Sequence, residues 1–246
     1  MKFSTYLIVA FFAIIIFSCR EYSPTSSSTN GTKSDSSTVL FRSAASDNFC
    51  DNCNKFDSKI WLKAEWPLGR GNVKATNVSC SNGYYYLTLK SKTWDCGEIY
   101  TSKQYSYGLA RSSFKCPDIS GAISSIFFYE GVKSENDEID IEIYKKDSKW
   151  RIDFVVYKKG NKNWISGFNP SFNPSSGFHE YAIDYAVGGI AFFVDGNNKG
   201  VCPRYISRPT KSMQIHLNCW WPTWLNATKP SQNKSMQIDF IEYKKI

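Results

Sequence analysis

The sequence lacks the patterns of several common protein classes. Past residue 56 no stretch shows a sustained helical period, so a helical domain is not expected. No basic run is interleaved with aromatic residues, so we expect no nucleic-acid site. Cys50 and Cys53 have the CxxC spacing of a zinc or redox site, but no second pair of ligands stands at a matching interval. We therefore favour a local or long-range disulfide for these cysteines over zinc.

Long hydrophobic runs are also scarce. The one at the N-terminus, Leu7 to Phe17, has about half of the ~20 residues that span a bilayer, and Ser18 and Cys19 follow it. This favours a signal peptide over residues 1–18, with a transmembrane anchor as the alternative. Residues 16–19 resemble the lipobox of bacterial lipoproteins. The resemblance implies that Cys19 is acylated and anchors an exported protein to the bacterial cell envelope or cell surface.

Composition divides the rest of the chain into two parts. Residues 19–46 are rich in Ser, Thr and Asn, which predicts a flexible tether. Residues 47–246 suit one large domain, and the 8 Trp and 15 Tyr of the whole chain exceed what packing needs, so some should line a cleft. Seven of the 8 cysteines follow Cys19. Export favours disulfides among them, and the odd number leaves at least one thiol free.

The formal net charge of +8 lies partly in lysine pairs. These pairs stand at the ends of predicted strands: Lys145 and Lys146, Lys158 and Lys159, and Lys244 and Lys245. We favour a solvated, solubilising edge. Attraction to acidic polymers or to an anionic membrane surface is the alternative.

Short alternating or β-rich runs fill the chain past residue 56. They cover residues 84–89, 109–114, 123–129, 138–144, 151–157, 180–185, 190–194, 213–219 and 236–243. Gly188 with Gly189, and Asp195 with Gly196, predict tight hairpin turns. Many short strands of this kind predict an all-β fold with two packed sheets.

The segment EIDIE concentrates acidic residues on one side of a predicted strand. Glu138, Asp140 and Glu142 share one face because side chains alternate along a strand, and the isoleucines between them share the other. An exposed acidic strand is the alternative, but three carboxylates in successive positions repel one another. Retaining glycoside hydrolysis uses two carboxyl groups about 5–5.5 Å apart, one as nucleophile and one as acid/base. Since the two Glu Cα atoms lie about 13 Å apart, their side chains must lean together.

Around this segment the chain resembles the family 16 glycoside hydrolases, most closely the bacterial lichenases that cut β-1,3-1,4-glucan. Besides EIDIE, the resemblance rests on WDCGE (94–98), YSYGLARSSFK (105–115), SSIFFY (124–129), FHEYAIDY (178–185), FFVDG (192–196) and LNCWWPTWL (217–225). It implies a curved jelly-roll β-sandwich, like concanavalin A, with an open concave cleft. It also implies that Glu138 is the nucleophile, that Asp140 assists it, and that Glu142 is the acid/base, with no cofactor for catalysis.

The resemblance further implies cleft residues that bind sugar units. These are Glu98, Phe127, Tyr129, Asn136, Asn218, Trp220 and Trp224. For Trp220 ordinary core packing is the alternative, and His216 receives no role because the family has no equivalent. The chain departs from the lichenase pattern at Tyr100, where an Arg is usual, at Asn136, where a Trp is usual, and at Val155, where an Asn is usual.

We therefore predict a retaining endo-acting glycoside hydrolase of a β-linked polysaccharide, β-1,3-1,4-glucan or a related β-glucan. One alternative is a hydrolase of an algal or acidic galactan, which the positive charge and the altered cleft favour. The other is a non-catalytic surface glycan-binding lipoprotein. We expect a monomer, and the resemblance implies a structural calcium ion with Asp239 among its ligands.

Overall fold

The computed structural model describes residues 47–132 and 134–246, so the predicted signal peptide, Cys19 and the tether lie outside the described residues. In chain order the strands are β1 (Phe49–Asp51), β2 (Trp61–Lys63), β3 (Pro67–Leu68), β4 (Gly71–Asn72), β5 (Val78–Ser81), β6 (Tyr84–Leu89), β7 (Gly97–Thr101), β8 (Gly108–Lys115), β9 (Ile123–Glu130), β10 (Asp137–Lys146), β11 (Lys149–Lys158), β12 (Asn161–Phe168), β13 (His179–Ala186), β14 (Gly189–Val194), β15 (Asn197–Cys202), β16 (Gln214–Trp220) and β17 (Lys234–Lys245). A short 3-10 helix covers Ala75–Asn77. No helix in the described ranges combines the length and apolar character that a membrane span requires.

Within the described residues, the strands form two large antiparallel sheets and one small one. The eight-stranded sheet has the order β15-β14-β13-β8-β17-β6-β5, and β1 also pairs with β17. The seven-stranded sheet has the order β12-β11-β10-β9-β16-β7-β2, and β3 pairs with β4. The predicted all-β fold with two packed sheets is confirmed.

All nine predicted β-runs coincide with strands, except that Met213 stands just before β16, and the predicted hairpins form. Ala186 pairs with Gly189, so that turn is centred on Val187 and Gly188, and Asp195 and Gly196 form the next turn. Other strands were not predicted: β1 to β5, β7, β12 and β15. Most of these are short or polar, and their backbone hydrogen bonds to a neighbouring strand, rather than alternation in sequence, define them.

The core lies between the two large sheets. Ile139, Ile141 and Ile143 of β10 are buried in it, as alternation predicts. They share this core with aromatic side chains of the facing sheet, including Tyr181 and Phe192. Burial of the isoleucines fixes which face of β10 points outward, because a slip of one residue would exchange the two faces.

Most cysteines differ from expectation. Free thiols are present at Cys53, Cys80, Cys96, Cys116, Cys202 and Cys219. Of the two alternatives predicted for Cys50 and Cys53, the local one, a disulfide between the two, is therefore not formed. Cys53 is fully buried in a left-handed backbone conformation (φ 56°), and its Sγ lies 4.0 Å from the Asp51 carbonyl oxygen. Burial raises the pKa of the Cys53, Cys96 and Cys116 thiols, which lowers their reactivity.

The lysine pairs stand at strand ends and contact nearby carboxylates. Strands β10, β11 and β17 end at Lys146, Lys158 and Lys245. Lys145 contacts Asp118 at 2.8 Å, and Lys158 contacts Asp137 at 2.9 Å. These contacts fit the solvated-edge interpretation of the positive charge, because much of it is already paired locally.

The turn between β10 and β11 yields a stability prediction. Lys146 pairs with Lys149, so Asp147 and Ser148 form a two-residue turn with φ of 49° and 63°. Ser148→Gly should raise the free energy of unfolding by about 0.5–1 kcal/mol, because a positive φ is costly for an L-residue and free for glycine. Thermal unfolding should show a gain of roughly 1–4 °C. Ser148→Ala, which keeps the strain, should show none, and an equal gain in both variants would contradict this reasoning.

Candidate active site

The outer face of the seven-stranded sheet, here called the active-site face, carries the three carboxylates. Strand pairing sets their neighbours: Glu138 lies opposite Tyr129 and Tyr157, Asp140 opposite Phe127 and Val155, and Glu142 opposite Ser125 and Asp153. Strands β16 and β7 extend two of these rows. The Asp140 row continues through His216 and Tyr100, and the Glu142 row continues through Asn218 and Glu98. Residues far apart in sequence therefore meet on one surface.

Glu138 is held by two neighbours on its own strand and the preceding loop. Asn136 Nδ2 donates a hydrogen bond to Glu138 Oε2, and Asp140 donates one to the same carboxylate. Burial raises the pKa of Glu138 to about 7, although the two hydrogen bonds act to lower it. Asn136, expected to bind sugar, is itself only 5% exposed and orients the nucleophile candidate.

Asp140 is the most enclosed of the three carboxyl groups. It is 5% exposed, and burial raises its pKa well above the usual range, with the charges of Glu138 and Glu142 adding to the effect. Asp140 therefore keeps its proton and donates it in the hydrogen bond to Glu138. The charge that contributes most to the raised pKa of Glu142 is that of Glu138.

Glu142 stands beside a second acidic residue. Burial, together with the charges of Glu138 and Asp153, raises its pKa to about 7. Asp153, directly opposite on β11, accepts hydrogen bonds from Tyr144 Oη at 2.6 Å and from Arg151 Nε at 2.6 Å. These bonds hold a second negative charge near Glu142, as a proton donor at neutral pH requires.

Lys162 brings a positive charge to the edge of this group. It lies opposite Tyr157 on β12, with Nζ 5.5 Å from the centre of the Tyr157 ring. Its charge lowers the pKa of Glu138, Asp140 and Glu142. Lys162 thus opposes the effect of burial on the whole carboxylate group.

Glu98 and Asn218 are buried and contact each other in the Glu142 row. Asn218 Nδ2 lies 3.3 Å from Glu98 Oε2, and Ser125 Oγ donates a hydrogen bond to Asn218 Oδ1. His216 Nδ1 lies 2.8 Å from Glu98 Oε1. Two of the three predicted polar cleft residues, Glu98 and Asn218, therefore belong to one network with His216 and Ser125 across β7, β16 and β9, whereas Asn136 contacts Glu138 instead.

The predicted cleft aromatics differ in exposure. Phe127 is buried, and Tyr129 is half-buried with its edge towards His216 at 5.7 Å. Trp220 is half-buried and packs against the core and against a small cluster beside it, so the packing alternative accounts for part of its surface. Trp224 is 55% exposed and meets Tyr144 edge-on at 5.3 Å, which leaves a ring face open for a sugar.

Asp239 lies on the other sheet. It stands at the irregularity of β17 between Ile238 and Phe240, and burial raises its pKa. In the described part of the chain, no group of three or more His, Cys, Asp or Glu side chains is arranged to hold a metal ion. The calcium ion stays a prediction, since it would depend mainly on backbone carbonyl oxygens.

Comparison with known proteins identifies the family. Residues 69–242 match the family described as glycosyl hydrolases family 16. The chain belongs to glycosyl hydrolase family 16. A β-glucanase of Paenibacillus polymyxa is 31% identical over 210 residues, 79% of this chain and 87% of that protein. A β-glucanase of Bacillus subtilis (strain 168) is 31% identical over 213 residues, 80% of this chain and 86% of that protein.

A solved structure supports the same assignment. The Bacillus licheniformis β-glucanase matches with a TM-score of 0.74 at 28% identity, over 82% of this chain and 100% of that one. The predicted jelly-roll β-sandwich is confirmed, and this family 16 chain is a glycosidase that hydrolyses O-glycosyl bonds. Two carboxyl groups perform such hydrolysis without a cofactor.

Three residues of this candidate site were not predicted from the sequence: Asp153, Tyr144 and Lys162. A signal for the first was present, because a two-residue turn at Asp147 and Ser148 pairs Glu142 with Asp153. Lys162 lies beyond a register shift at Val156 and Tyr157, which alternation does not reveal.

Burial of Glu142 predicts how stability depends on pH. The pKa of Glu142 rises from about 4.3 in an unfolded chain to about 7 in the fold. Between these values the folded protein binds more protons, so its stability falls as pH rises. Glu142→Gln removes this penalty and should raise the melting temperature at pH 8 but not at pH 4. Glu65→Gln, at an exposed position, is the control. The same gain in melting temperature at pH 4 and pH 8 in Glu142→Gln would contradict this explanation.

Removal of the Lys162 charge should shift the pH profile of hydrolysis. Because Lys162 lowers the pKa of Glu138 and Glu142, Lys162→Met should move both limbs of the kcat/KM profile to higher pH. The assay uses an uncharged glycan, so that electrostatic attraction between Lys162 and the substrate does not affect the pH profile. Lys162→Arg should keep the original profile. Limbs that stay in place in Lys162→Met would show that Lys162 does not act on the pair.

Proposed function

We propose that this chain is a retaining endo-acting β-glucanase that cleaves β-1,3-1,4-glucan. The observation that carries the proposal is the geometry of β10, where Asp140 donates a hydrogen bond to Glu138 while Glu142 stands beyond it on the same face. The curated relatives named β-glucanase support the substrate, since they align over 79–80% of this chain.

In the first step Glu138 attacks the anomeric carbon of the sugar, and Glu142 gives its proton to the oxygen of the leaving chain. A covalent glycosyl ester on Glu138 results. In the second step Glu142 takes a proton from water, whose oxygen displaces the Glu138 carboxylate. Two displacements at one carbon retain the anomeric configuration.

The reactive form of the pair holds one proton, because Glu138 must be ionised and Glu142 protonated. The pKa of each is raised to about 7, so the pair titrates as a unit around neutral pH. The hydrogen bond from Asp140 favours charge on Glu138, whereas the charges of Glu138 and Asp153 favour the proton on Glu142. These opposite effects bias the shared proton towards Glu142.

Azide should reveal the separate roles of the two glutamates. With an activated aryl β-glycoside, Glu138→Ala should yield an α-glycosyl azide, because azide displaces the aryloxide in a single inversion. Glu142→Ala should yield a β-glycosyl azide, because Glu138 first displaces the aryloxide and azide then displaces Glu138. Product configuration is read by proton NMR. Exchanged configurations would exchange the two roles.

A substrate panel tests the rest of the proposal, with Glu138→Gln as the inactive control. We expect short oligosaccharides from barley β-glucan and lichenan, and little from laminarin or xyloglucan. The Lys162 cation beside the carboxylates favours an acidic or sulfated galactan as the second candidate, so carrageenan, porphyran and agarose belong to the panel. Cleavage of these alone would replace the glucan assignment. Glycan binding without hydrolysis of any of them would favour a surface glycan-binding protein.

We propose further that the chain is exported and acts as a monomer anchored to the cell envelope through acylated Cys19. The apolar run 7–17 before Cys19 supports this, as does the polar segment 19–46 as a tether. A structural calcium ion at Asp239 belongs to the same proposal, supported by the half-buried carboxylate there.

A further inference from the structure

His216 lies in the middle of the active-site face, and its side chain is enclosed by aromatic rings. It is 4% exposed. Its ring stacks on Tyr100 at 5.3 Å on one side and on Phe127 at 4.8 Å on the other, as the Asp140 row dictates. These contacts fix the plane of the imidazole.

One ring nitrogen contacts Glu98. His216 Nδ1 lies 2.8 Å from Glu98 Oε1, and Glu98 is 2% exposed. Among the described residues, no Lys or Arg forms an ion pair with Glu98, so His216 and Asn218 are the side chains that hold it. A buried carboxylate accepts hydrogen bonds, so Nδ1 carries the proton in this pair.

The other nitrogen shows that packing alone does not account for histidine here. His216 Nε2 is buried and has no hydrogen-bond partner within the described residues. An unpaired buried polar atom costs about 1–3 kcal/mol, which a phenyl ring in the same stack would avoid. The hydrogen bond to Glu98 is the interaction that histidine makes and a phenyl ring at this position could not.

The position of Glu98 matters to the reacting group. The charge of Glu98 adds to burial in raising the pKa of both Glu138 and Tyr129. Glu98 therefore lies close enough to influence Glu138 electrostatically, and a rotation of its side chain would change the charge distribution beside this nucleophile.

We propose that His216 is a positioning residue that fixes the Glu98 carboxylate so that it accepts a hydrogen bond from a hydroxyl of the sugar bound next to Glu138. This rests on the proposed function. The aromatic stack holds the imidazole, the imidazole holds Glu98, and Glu98 together with Asn218 contacts the sugar. His216 itself need not touch the substrate.

Two substitutions separate hydrogen bonding from packing. His216→Phe keeps the stack with Tyr100 and Phe127 but removes the donor. His216→Asn loses the stack, but its Nδ2 takes the place of the imidazole Nδ1. We expect KM to rise about tenfold in His216→Phe with kcat within about threefold of wild type. His216→Asn should stay within about threefold of wild-type KM even though its melting temperature is lower. A normal KM in the Phe variant, or equal losses in both, would overturn the proposal.

A measurement without substrate keeps this test separate from the glucanase proposal. The chain has 2 histidines, so nitrogen-15 NMR of the imidazoles is simple, and His179→Gln assigns the signals. At a pH where the ring is neutral, His216 should show the Nδ1–H tautomer. The Nε2–H tautomer would overturn the positioning role. If the wild type cleaves none of the glycans, the glucanase proposal fails, and the tautomer still decides whether His216 holds Glu98.

Discussion

Alternation along β10 is the constraint on which the site depends. The same strand sends three isoleucines into the core and three carboxyl groups onto the active-site face. Apolar burial fixes the register of the strand, so it also fixes the positions of Glu138, Asp140 and Glu142 without any contact made for that purpose. The packed core therefore limits the movement of the strand that carries the reacting groups.

The neighbouring strands then set the protonation of these groups. Three carboxyl groups so close together cannot all be charged in a buried setting, and Asp140, the most enclosed, keeps its proton. Asp153 and Lys162 reach the group from β11 and β12 with charges of opposite sign. Burial, modified by the charges nearby, gives Glu138 and Glu142 pKa values of about 7, so that near neutral pH one can lose a proton while the other holds one.

The main strands and the carboxylate triad could be predicted from the sequence because both depend on local alternation. The neighbours of the triad on adjacent strands could not, since strand pairing is decided by turn geometry and by the whole sheet. Asp153 was within reach through the two-residue turn at Asp147 and Ser148, whereas Lys162 lies past a register shift. The solvent exposure of the predicted cleft residues could not be predicted either: Asn136 and Phe127 are buried, and Trp224 is exposed. The free thiols show the same limit, because a predicted export signal favours disulfides in general but does not supply the geometry that a particular pair requires.

Strand pairing also gives a pattern to the departures from lichenases. Tyr100 and Val155 are 55 residues apart in sequence, yet both lie in the row of Asp140, which also contains His216 and Phe127. Two of the three departures therefore lie in a single row, in which the rings of Tyr100 and Phe127 stack on the imidazole, while the third, Asn136, lies just before β10. The Glu142 row, with Asn218 and Glu98, keeps its polar residues. Because His216 of this row holds Glu98, a change in the row would act on sugar binding through the position of this carboxylate rather than through the reacting pair.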